Sequence, residues 1–295
     1  MNIDREFVLG GQAVIEGVMM KGGDRYAVAV RSPSGGIVCE RFSIESGRFA
    51  KKLQKTVFLR GLIILFSMLV IGLKALNYSA AVATQEEEKG FSPLLMGVTV
   101  IMALCLALVL FFLLPFLAGL GFSGATGLPV GGGTFNLLEG GVRILVFLLY
   151  IGAISYIDDI RRVFEYHGAE HKVVNAYEDS AVLEASEVMR YPRFHPRCGT
   201  SFILFLLCIS IVVFSLVPAG MSVFAKGAMR IVLLPIIAGI SYEFIRLAGK
   251  RKKSLVFRLL SGPGMLLQKI TTREPDVKQV EVALASLSSL DGPLA

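Results

Sequence analysis

The chain has 295 residues, 54% of them hydrophobic and only 18% charged, with a mean hydropathy of +0.66. A soluble domain of this size carries about a quarter charged residues, so the composition excludes an ordinary soluble enzyme and points to an integral membrane protein. The net charge of +7 is modest and no basic run is interleaved with aromatics, which argues against nucleic acid and leaves topology and anionic lipid as its uses.

The polar start Met1-Asn2-Ile3-Asp4-Arg5-Glu6 lacks the apolar region of a signal peptide. Cys39, Cys105, Cys198 and Cys208 show no disulfide-like spacing. Residues 10–45 are the β-like region: three runs, Ala13 to Lys21, Arg25 to Ser32 and Gly36 to Ile44, are separated by Gly22-Gly23-Asp24 and Pro33-Ser34-Gly35. Such residues supply the turns of a small antiparallel sheet. Glu16 interrupts the first run; it is either a ligand or base of a site, or a solvent-facing residue of a two-sided strand.

A basic segment (Arg48, Lys51, Lys52, Lys55) precedes an apolar stretch from Val57 to Val82. Spans are expected at Leu94–Leu120, Arg143–Ile157, Phe202–Val217 and Ala228–Leu247, with Pro115 as a potential kink and the glycine-rich Gly119–Gly133 excluded from regular helix. The basic segments before Val57, before Phe202 and at Lys250-Arg251-Lys252-Lys253 all belong on the cytoplasmic side by the positive-inside rule, which requires an even number of crossings. Val57–Val82 is therefore read as interfacial, the alternative being a span paired with a re-entrant glycine-rich segment. Past a Gly262-Pro263-Gly264 break, a helix over Val277–Leu290 should dock on the cytoplasmic part through Val280, Ala283, Leu284 and Leu287.

The chemistry concentrates between His167 and Cys198, where all three histidines lie. Residues 160–178 suit a helix continuing out of the Arg143–Ile157 span, on which His167 and His171 are i, i+4 neighbours that can reach one ion. His167-Gly168-Ala169-Glu170-His171 is the inverse of the zinc-protease motif, with Glu170 as a candidate general base. Gly168 in mid-helix points to close approach by another backbone or by substrate. His195-Pro196-Arg197-Cys198 offers an imidazole and a thiolate across a turn. The candidate ligands of a divalent metal, with zinc favoured by the donor set, are thus His167, His171, His195 and Cys198. If all four bind, the site is closed and structural; if Cys198 stays off, an open position allows catalysis. Glu139 with Arg143, and Glu243 with Arg246, are further candidates as ion pairs at the membrane, and Glu243 also as a distal ligand.

The chain resembles the YqhQ-like family through Gly11-Gln12-Ala13-Val14-Ile15-Glu16-Gly17-Val18-Met19-Met20, Asn136-Leu137-Leu138-Glu139-Gly140 and Tyr166-His167-Gly168-Ala169-Glu170-His171-Lys172. The likeness continues through His195-Pro196-Arg197-Cys198-Gly199-Thr200-Ser201-Phe202, Tyr242-Glu243 and Thr271-Thr272-Arg273-Glu274-Pro275. The resemblance implies a multipass protein of the bacterial inner membrane and a metal-dependent enzyme, without a substrate.

The expected fold is a mainly α-helical integral membrane protein of about four transmembrane helices, with a small N-terminal antiparallel β-sheet and cytoplasmic helical segments. Its expected parts are residues 1–50 (β-rich), 51–90 (basic segment and interfacial helix), 91–160 (transmembrane pair), 161–201 (His/Cys segment), 202–248 (transmembrane hairpin) and 249–295 (helical tail). Both termini are expected in the cytoplasm. Two functions compete: a membrane-embedded zinc hydrolase with Glu170 as its base, and a non-catalytic assembly or insertion factor with a structural Cys/His metal site. Both have the lipid bilayer as a partner, and the second adds other membrane proteins. A transporter ranks behind both, since no internal repeat is visible.

Overall fold

The computed structural model describes residues 9–44, 47, 53, 56–57, 59–85, 92–218, 220–250 and 255–290. Most of the basic segment before Val57, and Arg251 to Lys253, lie outside the described residues.

Four strands form one antiparallel sheet in the order β1 (Gly10–Val14), β2 (Gly17–Gly22), β3 (Arg25–Arg31), β4 (Ile37–Ser43). The expected first run, Ala13 to Lys21, is in fact a hairpin. Val14 pairs with Gly17, so Ile15 and Glu16 make a two-residue turn. Glu16 takes φ 51°, and its carbonyl accepts from Arg31 N at 2.8 Å. The second turn, Gly23-Asp24, has Gly23 at φ 61°, the left-handed conformation tight hairpins need.

Both faces of β2 and β3 are covered, which is why these strands read as nearly continuous apolar runs. Val18, Met20, Ala27 and Ala29 pack against helix α5 (Asp158–Glu178) and α10 (Val277–Ser289). Met19, Tyr26, Val28 and Val30 pack on Ile71 and Ala75 of α1 (Leu59–Thr84). The C-terminal helix docks as its stripe demands: Val280, Ala283 and Leu287 are fully buried, and Leu284 packs at the edge of the same core. Asp276 and Gln279 close a capping box at its start, a device worth about 1 kcal/mol.

The apolar helices, besides α1, are α2 (Pro93–Leu108), a π-turn at Val109–Leu113, α3 (Leu114–Thr126), α4 (Gly133–Ile154), α7 (Gly199–Ser215) and α8 (Val223–Lys250). Between α5 and α7 lies the short α6 (Ala185–Val188), and α9 (Leu255–Thr271) follows α8. Among the described residues four helices are long and apolar enough to cross a bilayer: 59–84, 94–126, 133–154 and 224–247.

The count agrees with expectation, but the membership differs. Helix α1 qualifies by length and composition, whereas α7, with 17 residues, is shorter. Nevertheless α1 spends its second half on the sheet and sets Gly61 against Tyr242 near the far end of α8. Helix α7 packs instead with α4, α8 and α9, its Leu204 and Leu207 meeting Phe147 and Leu267.

Three further expectations are corrected. The glycine-rich stretch is helical to Thr126 and ends at Gly127 with φ 71°; in hydrocarbon the helix is the cheapest way to satisfy its backbone. Gly262-Pro263-Gly264 lies inside α9, where a Cβ at Gly264 would come within 2.6 Å of Ser201 Oγ, so α9 and α7 are in close contact there. Finally, α5 is not a continuation of α4. The chain turns at Ser155–Ile157, and Asp158 and Asp159 occupy the first turn of α5, where acidic residues suit the helix dipole.

Candidate metal centre

Helix α5 presents its motif on two faces. His167 and His171 stand one above the other, ring centroids 4.4 Å apart. Glu170 points toward the sheet, where its carboxyl group receives the Gly11 backbone N–H. A Cβ at Gly11 would lie 3.0 Å from that carboxyl group.

The same helix laces down the loop that carries the other candidates. Lys172 Nζ donates to the carbonyls of Met189 and Tyr191 at 2.8 and 2.7 Å, and ion-pairs with Glu274 at 2.6 Å. Asn175 Nδ2 donates to the carbonyls of Pro192 and Phe194. His171 Nδ1 donates to the carbonyl of Arg193 at 2.7 Å. From the opposite side Gln268 of α9 clamps His195, accepting its N–H and donating to its carbonyl, each at 2.8 Å. The turn then closes from Cys198 N to His195 O at 3.3 Å, and Cys198 becomes the N-cap of α7.

His167 is oriented in the same manner as His171. Its Nδ1 donates to the carbonyl of Thr271 at 2.8 Å. That carbonyl is in reach because the backbone touches α5 at Gly168, where a Cβ would sit 2.1 Å from Arg273 O. The close approach expected of Gly168 is therefore by backbone. Since a carbonyl can only accept, both imidazoles carry their proton on Nδ1 and turn the Nε2 lone pair inward. His167 Nε2 lies 3.1 Å from Cys198 Sγ, and the thiol also contacts Thr200 Oγ1 at 3.1 Å.

His167, His171 and Cys198 form a group whose donor atoms all lie within 4.8 Å of one another. Tetrahedral zinc spaces its N and S donors by about 3.3–3.6 Å, so small side-chain movements fit these atoms to such an ion. Imidazoles anchored through Nδ1 on carbonyls are the usual outer shell of a metal site. The donor set fits the group.

The other sequence candidates fall elsewhere. The His195 ring is 5.8 Å from that of His171, and its Nε2 lies 3.6 Å from Glu178 Oε1. Glu170 is 6% exposed; burial pushes its carboxyl group above the usual range, opposed by the charges of His167 and His195 and by the Gly11 N–H. Burial also lowers His171 below the ordinary histidine value, against the opposing pull of Cys198. Glu16 pairs with Arg162 at 2.6 Å and accepts from Tyr166 Oη at 3.3 Å, tying the hairpin turn to α5. Glu243 pairs with Arg60 Nε at 2.6 Å and with Arg246 at 3.9 Å. Glu139 pairs with Arg143 at 2.6 Å and also with Arg230. Arg60, Arg230, Gln268 and Asn175 were not foreseen. Arg60 and Arg230, as charges inside apolar runs, were the detectable ones.

A family model described as "Protein of unknown function (DUF1385)" matches residues 57–292. The chain belongs to the DUF1385 family. It is also 34% identical over 301 residues to the uncharacterised protein YqhQ of Bacillus subtilis (strain 168), covering 95% of this chain and 91% of that protein. The family membership accords with the motif resemblance, and both matched stretches include the His–Cys segment. No solved structure matches.

Proposed function

We propose that the chain is a metal-dependent hydrolase held at the cytoplasmic face of the bacterial inner membrane, with zinc on His167, His171 and Cys198 and Glu170 as general base. The observation that supports it most is the pair of Nδ1-anchored imidazoles whose Nε2 atoms turn toward one thiol, all within 4.8 Å. Three protein ligands are the number that leaves a tetrahedral ion one open position. Zinc bound there would lower the pKa of a water and polarise a substrate carbonyl or phosphoryl oxygen. The protein's part is to orient the imidazoles through Thr271 and Arg193 and to keep a buried carboxyl group whose pKa is raised, the direction that suits a base. The cytoplasmic side follows from the positive-inside rule applied to Arg161, Arg162, Arg190, Arg193 and Arg197.

A second reading, a non-catalytic assembly factor with a closed structural site, draws on His195, which is buried with its ring 5.8 Å from His171. X-ray absorption on zinc-loaded full-length protein separates the two. A shell of two nitrogens, one sulfur and one oxygen supports hydrolysis. A shell of three nitrogens and one sulfur supports the structural site, and absence of stoichiometric metal overturns both.

A further inference from the structure

Helices α9 and α10 distribute their polar residues in opposite senses. In α9 the polar side chains Ser261, Gln268 and Thr271 are buried, as is Thr272 just past its end. The outward stripe of α9 holds Pro263, Leu266 and Lys269, with Met265 and Ile270 half-buried beside it. Leu266 is 60% exposed. Helix α10 instead buries Val280, Ala283 and Leu287 and exposes Lys278, Glu281 and Ser288. The α10 pattern is that of a helix with water outside; the α9 pattern suits a helix with hydrocarbon outside.

The packing sets the depth of α9, which lies against α7, α8 and α4. Gly264 meets Ser201, and the buried Leu267 clusters with Leu204 and Leu207 of α7 and Phe147 of α4. Phe147 stands seven residues before Ile154, the last residue of α4, so α9 sits about 10 Å inside the end of that apolar helix. An amphipathic helix at a membrane surface sinks its apolar face by about 5–10 Å. The turn at the same end of α4 exposes Tyr156 and Ile157, and an exposed tyrosine there suits the level of the headgroups. Lys269, in the last turn of α9, has the length to reach headgroups while its stem covers apolar surface.

The inward face of the same helix frames the metal centre. Gln268 holds the His195 backbone at both ends and donates from Nε2 to Ser201 Oγ at 3.0 Å. Three residues on, Thr271 O accepts from His167 Nδ1. One helix therefore fixes both the loop that ends in Cys198 and the ring of His167. We propose that the outer stripe of α9 seats in the headgroup–acyl boundary of the bilayer, and that this seating holds the metal centre in shape. The coupling rests on the zinc reading of that centre; the seating does not.

The chain has no tryptophan, so Leu266→Trp gives one fluorescent reporter in full-length protein placed in nanodiscs of phosphatidylglycerol and phosphatidylcholine. Phosphatidylcholine brominated near the top of its acyl chains should quench it at least about fivefold more strongly than aqueous iodide does. Val277→Trp, at a position of α10 that is 48% exposed, is the water control and should show the reverse. Quenching of Leu266→Trp by iodide as strong as that of Val277→Trp overturns the seating. Quenching by neither agent also overturns it, because protein then covers the stripe. The coupling is read on Leu266→Asp, which lies on the face opposite Gln268. Its zinc affinity in nanodiscs, by competition with a chromophoric chelator, should fall about tenfold, while Val277→Asp leaves affinity unchanged. Unchanged affinity in folded Leu266→Asp overturns the coupling; should that variant not fold, Leu266→Gln is read by the same rule. A native protein that takes up no stoichiometric zinc overturns the coupling together with the zinc reading, and the two quenchers still decide the seating.

Discussion

His167 and Cys198, 31 positions apart in the sequence, meet at 3.1 Å, Nε2 to Sγ. Their meeting depends on side chains that never touch the cluster, because Lys172 and Asn175 hold residues 189–194 against α5. Outer-shell groups of this kind affect metal affinity about 10- to 100-fold. Asn175→Ala should therefore bind zinc at least about tenfold more weakly while keeping one ion per chain. Cys198→Ser should abolish the thiolate charge-transfer band of the cobalt-substituted protein. Competition with a chromophoric chelator reads the first effect, and unchanged affinity would show that the loop is held without Asn175.

Gly168 is the contact on which the Thr271 carbonyl, and with it the tautomer of His167, depends. With Arg273 O only 2.1 Å from any Cβ, Gly168→Ala must push residues 271–273 off α5. Overpacking of this kind costs about 1–3 kcal/mol. Thermal unfolding in detergent should show a clear loss of stability, and zinc affinity should fall with it. Gly262→Ala, on α9 where a Cβ meets nothing, is the control and should be neutral or slightly stabilising. Equal behaviour of the two variants would contradict the role given to Gly168.

The reach of sequence reasoning follows the range of the interactions. Periodicity and turn residues revealed α5, α10 and the sheet because they report local structure: Val280, Ala283 and Leu287 share a face whatever they pack against. The Ile15–Glu16 turn escaped because a glutamate at φ 51° carries no turn signal; it is held by Arg162 and Tyr166, nearly 150 residues away. Gly262-Pro263-Gly264 misled for a related reason, since Gly264 is small to fit Ser201 rather than to end a helix. In the site, the i, i+4 histidines were legible from spacing. The choice of Cys198 over His195 as their near neighbour was not, because it rests on Gln268 of α9 fixing the His195 backbone.

Removing Glu139, the anion shared by Arg143 and Arg230, should be the most damaging single change in the bundle. Glu139→Gln leaves Arg143 and Arg230 facing one another with no carboxylate, and breaking a buried pair this way costs about 3–5 kcal/mol. Expression in the folded, detergent-soluble state should drop sharply. The double variant Glu139→Gln with Arg230→Met, which removes one charge of each sign, should recover part of it. No recovery would mean that Arg230 is needed for a reason other than balancing Glu139.

The pH dependence of the metal-free protein should expose Glu170. Burial raises its folded-state pKa above the ordinary carboxylate value of 4.5, so the fold favours the protonated form. For a group raised on folding, the stabilising contribution is fully present below the unfolded value and is lost as pH rises through the folded one. In chelator, the native chain should therefore lose stability relative to Glu170→Gln as pH rises above about 4.5, and the two should converge below it. Burial of His171 acts with the opposite slope, since its lowered pKa makes the fold lose stability as pH falls below 6.5. Both proteins share that second effect, so the difference between their thermal melting curves across pH isolates Glu170. A difference that stays constant from pH 4 to 8 would mean that Glu170 titrates alike in the folded and unfolded chain, and that it is not the elevated base the hydrolase reading requires.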